Sequence, residues 1–123
     1  ARGNITFIGD HLTDSKLALY YQKSRAFVFA GVEDLGLVAV EAQACGKPVI
    51  CYRHSGMAET VIDGVTGVLF GSQDKASIIA ALRTFDAGWY DSNSCRKNAE
   101  RLSEKRFIRE MKAAVEHLYQ QTL

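Results

Sequence analysis

The chain lacks most of the features that announce a function. Its 15 Lys and Arg against 14 Asp and Glu leave a net charge of +1, which excludes the basic face of a nucleic-acid binder and strong attraction to anionic lipid. No apolar run approaches the roughly 20 residues that span a bilayer, and the first residues do not read as a signal peptide. The 3 cysteines are odd in number and unrelated in spacing, so they form no disulfide framework and fit a reducing, cytoplasmic setting. Cys45 and Cys51 lie in apolar stretches and read as core residues, with Cys95 read as partly exposed. No His/Cys/Asp group has metal-ligand spacing, no Ser-His-Asp or Cys-His set stands out, and there is neither a Walker loop nor a G-x-G-x-x-G turn. An initiator Met is also missing: the chain opens Ala1-Arg2-Gly3-Asn4 and is expected to be a piece of a longer protein.

What is present is ordinary in bulk and specific in order. With 123 residues, 47% hydrophobic and 24% charged, the chain is one domain able to bury roughly 65–70% of its unfolded surface. Residues 4–8 (NITFI), 26–30 (AFVFA), 48–52 (PVICY) and 68–70 (VLF) have the β-branched and aromatic character of strands. Between and after them lie helical stretches at 13–23, 37–45 and 74–85, a helical turn near 92–102, and a final helix from 103 with Phe107, Met111, Val115 and Leu118 on one face. The second stretch stops at Gly46, two residues before the single proline, Pro48. Strand alternating with helix, across connections too long for hairpins, predicts an α/β fold with a doubly wound parallel sheet. Ligands of such sheets bind beyond the C-terminal ends of the strands. That confines the chemistry to Gly9, Asp10 and His11, to residues 31–36, to residues 52–56 including Ser55 and Gly56, and to residues 71–73.

The second of these loops carries the most information. Glu33-Asp34-Leu35-Gly36 leads straight into the apolar stretch LVAVEAQAC, which reads as a helix buried on nearly every side. A helix N-terminus offers unpaired amides and about half a positive charge, which favours a diphosphate. Glu41 follows about one turn in, roughly 6–7 Å along the axis, a plausible reach from a phosphate to the ribose attached to it. No Lys or Arg lies one helical turn away, so a distant residue or a ligand must satisfy the carboxylate. A vicinal diol suits it, because a carboxylate only accepts hydrogen bonds. Glu33 alone reads more readily as a solvated loop residue, and Asp34 as a capping or helix-dipole residue. The E-x7-E spacing arises often by chance, and its place at a strand–loop–helix junction is what makes it specific. Arg53 and His54 read as solvated surface groups, as does His11.

The run E-D-L-G-L-V-A-V-E-A-Q-A-C-G-K-P-V-I-C resembles the donor-site sequence of retaining, group 1 glycosyltransferases of the two-Rossmann-domain (GT-B) architecture. S-G-M-A-E-T-V-I-D-G-V-T-G-V-L-F, residues 55–70, and R-L-S-E-K-R-F near the C-terminus extend the resemblance over essentially the whole chain. It implies the nucleotide-sugar-binding part of a GT-B C-terminal domain, without the N-terminal acceptor domain. It further implies that Glu41 holds the donor ribose and that Glu33 contacts the transferred sugar near its reacting carbon, the catalytic position. The amides of Leu35, Gly36 and Leu37 would meet sugar and diphosphate, and the backbone of Gly9, Asp10 and His11 would meet the base. The reaction implied is metal-independent transfer of a hexose from a nucleoside diphosphate to a hydroxyl, with retention, in polysaccharide or glycolipid synthesis, by a parent that could sit peripherally on a membrane. Asp34 stands where the family usually has Gly, a variant that leans toward GDP-mannose. Ser55-Gly56 replaces the common Gly-Gly pair, and Ala39 a common Pro. The Arg and Lys that neutralise the phosphates in the family fall upstream of this chain, so no turnover is expected from it alone. A sugar-nucleotide epimerase of similar architecture and a non-catalytic α/β module with an internally paired Glu41 remain as alternatives. Loss of upstream strands would also expose a sheet edge, from which self-association is expected.

Overall fold

The computed structural model describes residues 3–123; Ala1 and Arg2 lie outside the described residues. Three strands, β1 (Phe27–Phe29), β2 (Val49–Tyr52) and β3 (Gly67–Phe70), form a parallel sheet in the order β1-β2-β3. Phe27 pairs with Val49 and Phe29 with Cys51, while Val49 pairs with Gly67 and Tyr52 with Phe70. Strand residues alternate between two faces. Phe27, Phe29, Val49, Cys51 and Leu69 face a core completed by Leu17 and Tyr21 of α1 (Asp14–Lys23) and Ala39 and Ala42 of α2 (Leu37–Ala44). Ile50, Val68 and Phe70 face Ile78 and Ala81 of α3 (Lys75–Thr84). Helices thus cover both faces, as a doubly wound sheet requires. Two more helices follow, α4 (Ser92–Glu100), which packs on α2, and α5 (Glu104–Thr122), none of whose residues is buried.

Each helix begins where a short polar side chain can occupy an orphan amide. Thr13 accepts from the amide of Lys16 at 3.3 Å, Asp74 from that of Ser77 at 2.7 Å, Asp91 from that of Ser94 at 2.8 Å and Ser103 from that of Arg106 at 3.2 Å. The exception is α2, whose cap is Gly36 at φ 78° with no side-chain cap bond. Its other end closes as a Schellman motif. Gly46 at φ 79° donates to Gln43 O at 2.8 Å, and Lys47 donates to Ala42 O at 3.0 Å.

Five expectations need correction. Residues 4–8 form no strand, and Ile5, Phe7 and Ile8 stand 52%, 83% and 46% exposed. Local β-character makes a strand only beside a ladder partner, and none of the described strands pairs with it. α2 is apolar all round but covered on one side only: Ala39, Ala42 and Gln43 are buried, whereas Leu37, Glu41 and Ala44 are exposed. Cys45 is half-buried, not in the core, and Cys95, expected to be partly exposed, is fully buried against that face. The helical turn near residue 92 is a full helix, because Cys95, Asn98 and Ala99 recur on one face that docks on α2.

Candidate functional site

The loops beyond the strand ends converge, and hydrogen bonds lock them together. The amide of Gly56 donates to Glu33 O at 2.7 Å, and the amide of Glu33 donates to Ser55 Oγ at 3.1 Å. Ser55 is buried and also accepts from the amide of Met57, at 3.4 Å. A Cβ on Gly56 would lie 1.6 Å from Asp34 O. The Ser55-Gly56 pair therefore does a definite job, holding the backbone of Glu33 and Asp34 against the loop that follows β2. Gln73, beyond β3, donates to Ala30 O at 2.8 Å and ties in the third loop.

Gly36 turns this loop into α2. Its positive φ suits glycine, and a Cβ there would come within 2.4 Å of Met57 Cγ. Met57 is fully buried, contributing about 1.5–3 kcal/mol by the usual burial scale. Ala39 N donates to Gly36 O at 3.0 Å. The amides of Leu37 and Val38, which have no intrahelical acceptor, are the donors left at an uncapped helix start. Leu35, Leu37, Glu33 and Asp34 are all exposed there.

Glu41 lies four residues into the helix, roughly 6 Å along its axis. It is exposed, and its Oε2 accepts a hydrogen bond from the Tyr21 hydroxyl at 3.2 Å. Among the described residues Oε1 has no partner. Glu41 stands on a ridge between two hollows. One, of about 420 Å³, lies toward Arg96, Ala99, Leu102 and Ser103. The other, of about 330 Å³, lies toward Asp14, Leu17, Tyr21 and Cys45. Tyr21 is 8% exposed, and its phenol is pushed up to about 12 by burial first and by the Glu41 carboxylate second.

The opposite face of α2 is fixed by buried amides. Gln43 Nε2 donates to Ala39 O at 3.1 Å and to Thr60 O at 3.2 Å, and Gln43 Oε1 accepts from Asn98 Nδ2 at 2.6 Å. Asn98 Nδ2 also donates to Thr60 O at 2.6 Å, and Asn98 Oδ1 accepts from Arg101 Nε at 2.8 Å. This network anchors the site helix to α4 and to the chain after the 3₁₀ turn Gly56–Glu59.

Among the described residues no hydrogen bond joins Gly9, Asp10 or His11 to these loops. Asp10 and His11 line a hollow of about 460 Å³ with Lys16, Tyr20 and Lys23, sharing no residue with the two beside Glu41. Arg53 is engaged elsewhere, paired with Asp63 at 3.2 Å and donating to Leu69 O at 3.2 Å. Tyr21, Gln43 and Asn98 contribute here without standing out in the sequence. A tyrosine on the inward face of an amphipathic helix needs a partner for its hydroxyl, and that signal was available.

Similarity to known proteins extends over most of the chain. Residues 1–102 match the family described as glycosyl transferases group 1. A 51-residue stretch is 51% identical to D-inositol 3-phosphate glycosyltransferase of Geodermatophilus obscurus, covering 42% of this chain and 11% of that protein. A 79-residue stretch is 39% identical to glycogen synthase of Mycobacterium tuberculosis, covering 63% of this chain and 19% of that protein. The fold superposes on sucrose-phosphate synthase of Thermosynechococcus elongatus with a TM-score of 0.84 at 30% identity, over 94% of this chain and 30% of that one. The chain thus spans less than a third of each of these proteins.

Proposed function

The chain belongs to the group 1 glycosyl transferases, and we propose from that premise that it is the part of such an enzyme that binds the nucleoside diphosphate sugar. The observation that carries this reading is Glu41: an exposed carboxylate with one open oxygen, a helical turn in from an uncapped N-terminus at the end of β1. The ribose diol donates to Glu41, the diphosphate lies against the amides of Leu37 and Val38, and the sugar extends past Leu35 and Gly36 toward Glu33. Ser55 and Gly56 act by holding that loop. Gly9, Asp10 and His11 are assigned to the base.

The parent reaction in this proposal moves a hexose to a hydroxyl acceptor with retention and without a metal. The helix start stabilises the departing diphosphate, a contribution made where charge develops. Asp34 favours a sugar hydroxyl over phosphate, and the family resemblance at this position inclines the choice toward GDP-mannose. Acceptor binding and further phosphate neutralisation fall to other parts of the parent, so the 123-residue chain alone binds donor weakly and does not turn it over.

An amide-resolved NMR titration with GDP, UDP, ADP and GDP-mannose tests the reading. Shifts at residues 35–41, near millimolar affinity (about −4 kcal/mol) and lost in Glu41→Ala, support it. The Tyr21 contact also favours a second reading, a non-catalytic module in which Glu41 is merely paired within the fold. No shift with any of the four ligands at saturating concentration would select that one.

A further inference from the structure

We propose that Tyr21 is a positioning residue for Glu41, orienting the carboxylate so that its free oxygen meets the ribose diol; this rests on the donor-site reading above. The contact joins elements 20 positions apart in sequence, and both ends are held. Tyr21 sits in the last turn of α1, where Ser24 Oγ donates to its carbonyl at 2.7 Å. Its ring packs edge-on against Phe27 of β1, centroids 5.8 Å apart at 72°. Packing of this kind leaves the hydroxyl little choice of direction. The Glu41 side chain, exposed on an otherwise apolar helix surface, has no such packing. The hydroxyl at 3.2 Å from Oε2 is the contact that selects one arrangement of the carboxylate.

The donor type matters as much as the distance. A Lys or Arg in this place would neutralise Glu41 and compete for both oxygens. A phenol gives one hydrogen bond, leaves the charge on the carboxylate and keeps Oε1 open to hydroxyl donors. The phenol holds its proton across the whole physiological range, since burial and Glu41 both oppose its ionisation. Because Phe27 opens the strand that delivers the Glu33 loop, the same tyrosine ring sets α1 against that strand and α2.

The test separates orientation from packing by comparing ribose with 2′-deoxyribose. Wild type, Tyr21→Phe, Glu41→Gln and the double variant are titrated by NMR with GDP, UDP, ADP and their 2′-deoxy counterparts. Tyr21→Phe keeps the ring and its contacts and removes one oxygen. It is expected to weaken the binding ribonucleotide about three- to tenfold and the 2′-deoxy form, which keeps only the 3′-hydroxyl of the diol, by clearly less. Glu41→Gln is expected to remove the ribose preference, and Tyr21→Phe to add nothing on top of it. Equal weakening of both sugar forms would make Tyr21 a packing residue and overturn the proposal. Full ribose preference in Tyr21→Phe, with loss in Glu41→Gln, would overturn it while leaving the donor site intact. A wild type that binds no nucleotide, or makes no distinction between the sugars, would remove the donor-site reading and this role together.

Discussion

Tyr21 and Glu41 couple folding to alkaline pH. The Tyr21 phenol ordinarily titrates near 10.0 and is pushed up to about 12 in the folded chain, by burial first and then by Glu41. A pKa raised on folding means that the folded state holds the proton more tightly than the unfolded state. The associated stability is fully present below pH 10 and is lost as pH rises through 12. Cys51, pushed up to about 11 from 9.0 by burial and then Asp63, adds a similar loss between pH 9 and 11. Comparison with Glu41→Gln isolates the part of that shift that Glu41 causes, burial being left in place: the variant is expected to lose less stability than wild type between pH 10 and 12, read from urea midpoints at each pH. Identical pH profiles would mean that the Tyr21–Glu41 contact carries no energy. Gly56 gives a second prediction at this scale. A methyl group there meets the backbone oxygen of Asp34 at 1.6 Å, with no flexible side chain to yield. Gly56→Ala is expected to cost about 3 kcal/mol or more in chemical denaturation, at the upper end of overpacking costs. A loss below about 1 kcal/mol would show that the two loops part easily.

At the scale of elements, what could be read from the residues was what local chemistry decides. Thr13, Asp74 and Ser103 marked helix starts, and Gly46 before Pro48 marked a stop, because caps and left-handed glycines act within a few residues of themselves. What could not be read was what neighbours decide. Residues 4–8 have strand composition without a strand to pair with, and α2 has core composition with one side open. The loop that bears Glu33 and the uncapped start of α2 were legible as a strand–loop–helix junction. Its bracing by Ser55 and Gly56 was not, since that depends on two loops 22 positions apart meeting. The Gln43–Asn98 bond spans 55 positions and was equally hidden. It is, however, what seats α2 on α4. Asn98→Ala removes both 2.6 Å bonds and strands the buried Gln43 Oε1, so a loss of about 2–3 kcal/mol is expected. Increased amide exchange in α2 would accompany it. A variant as stable as wild type would show that water or Arg101 replaces the amide.

For the molecule as a whole, the sheet ends in an open edge. β1 has β2 as its one described neighbour, and Phe27 N donates across that ladder to Pro48 O at 3.0 Å. Strand residues alternate in the side to which they present their backbone groups, so Val28 offers its N–H and C=O away from β2. Unpaired groups in a row are a template for another strand. β1 is protected by its shortness alone: Val28 is 42% exposed, and the three residues FVF contain no charge or proline. Self-association of the 123-residue chain is therefore expected, visible as a sedimentation coefficient that rises with concentration. Val28→Pro removes the outward N–H and fixes φ near the value an edge strand tolerates, while the two residues bonded to β2 keep their amides. It is expected to keep the far-UV circular dichroism of the wild type and to flatten the concentration dependence. If wild type sediments as the same monomer at every concentration, the edge is covered in solution. Association that persists unchanged in Val28→Pro would instead place the contact elsewhere on the molecule, with the exposed Phe107, Val115 and Leu118 of α5 the next surface to alter.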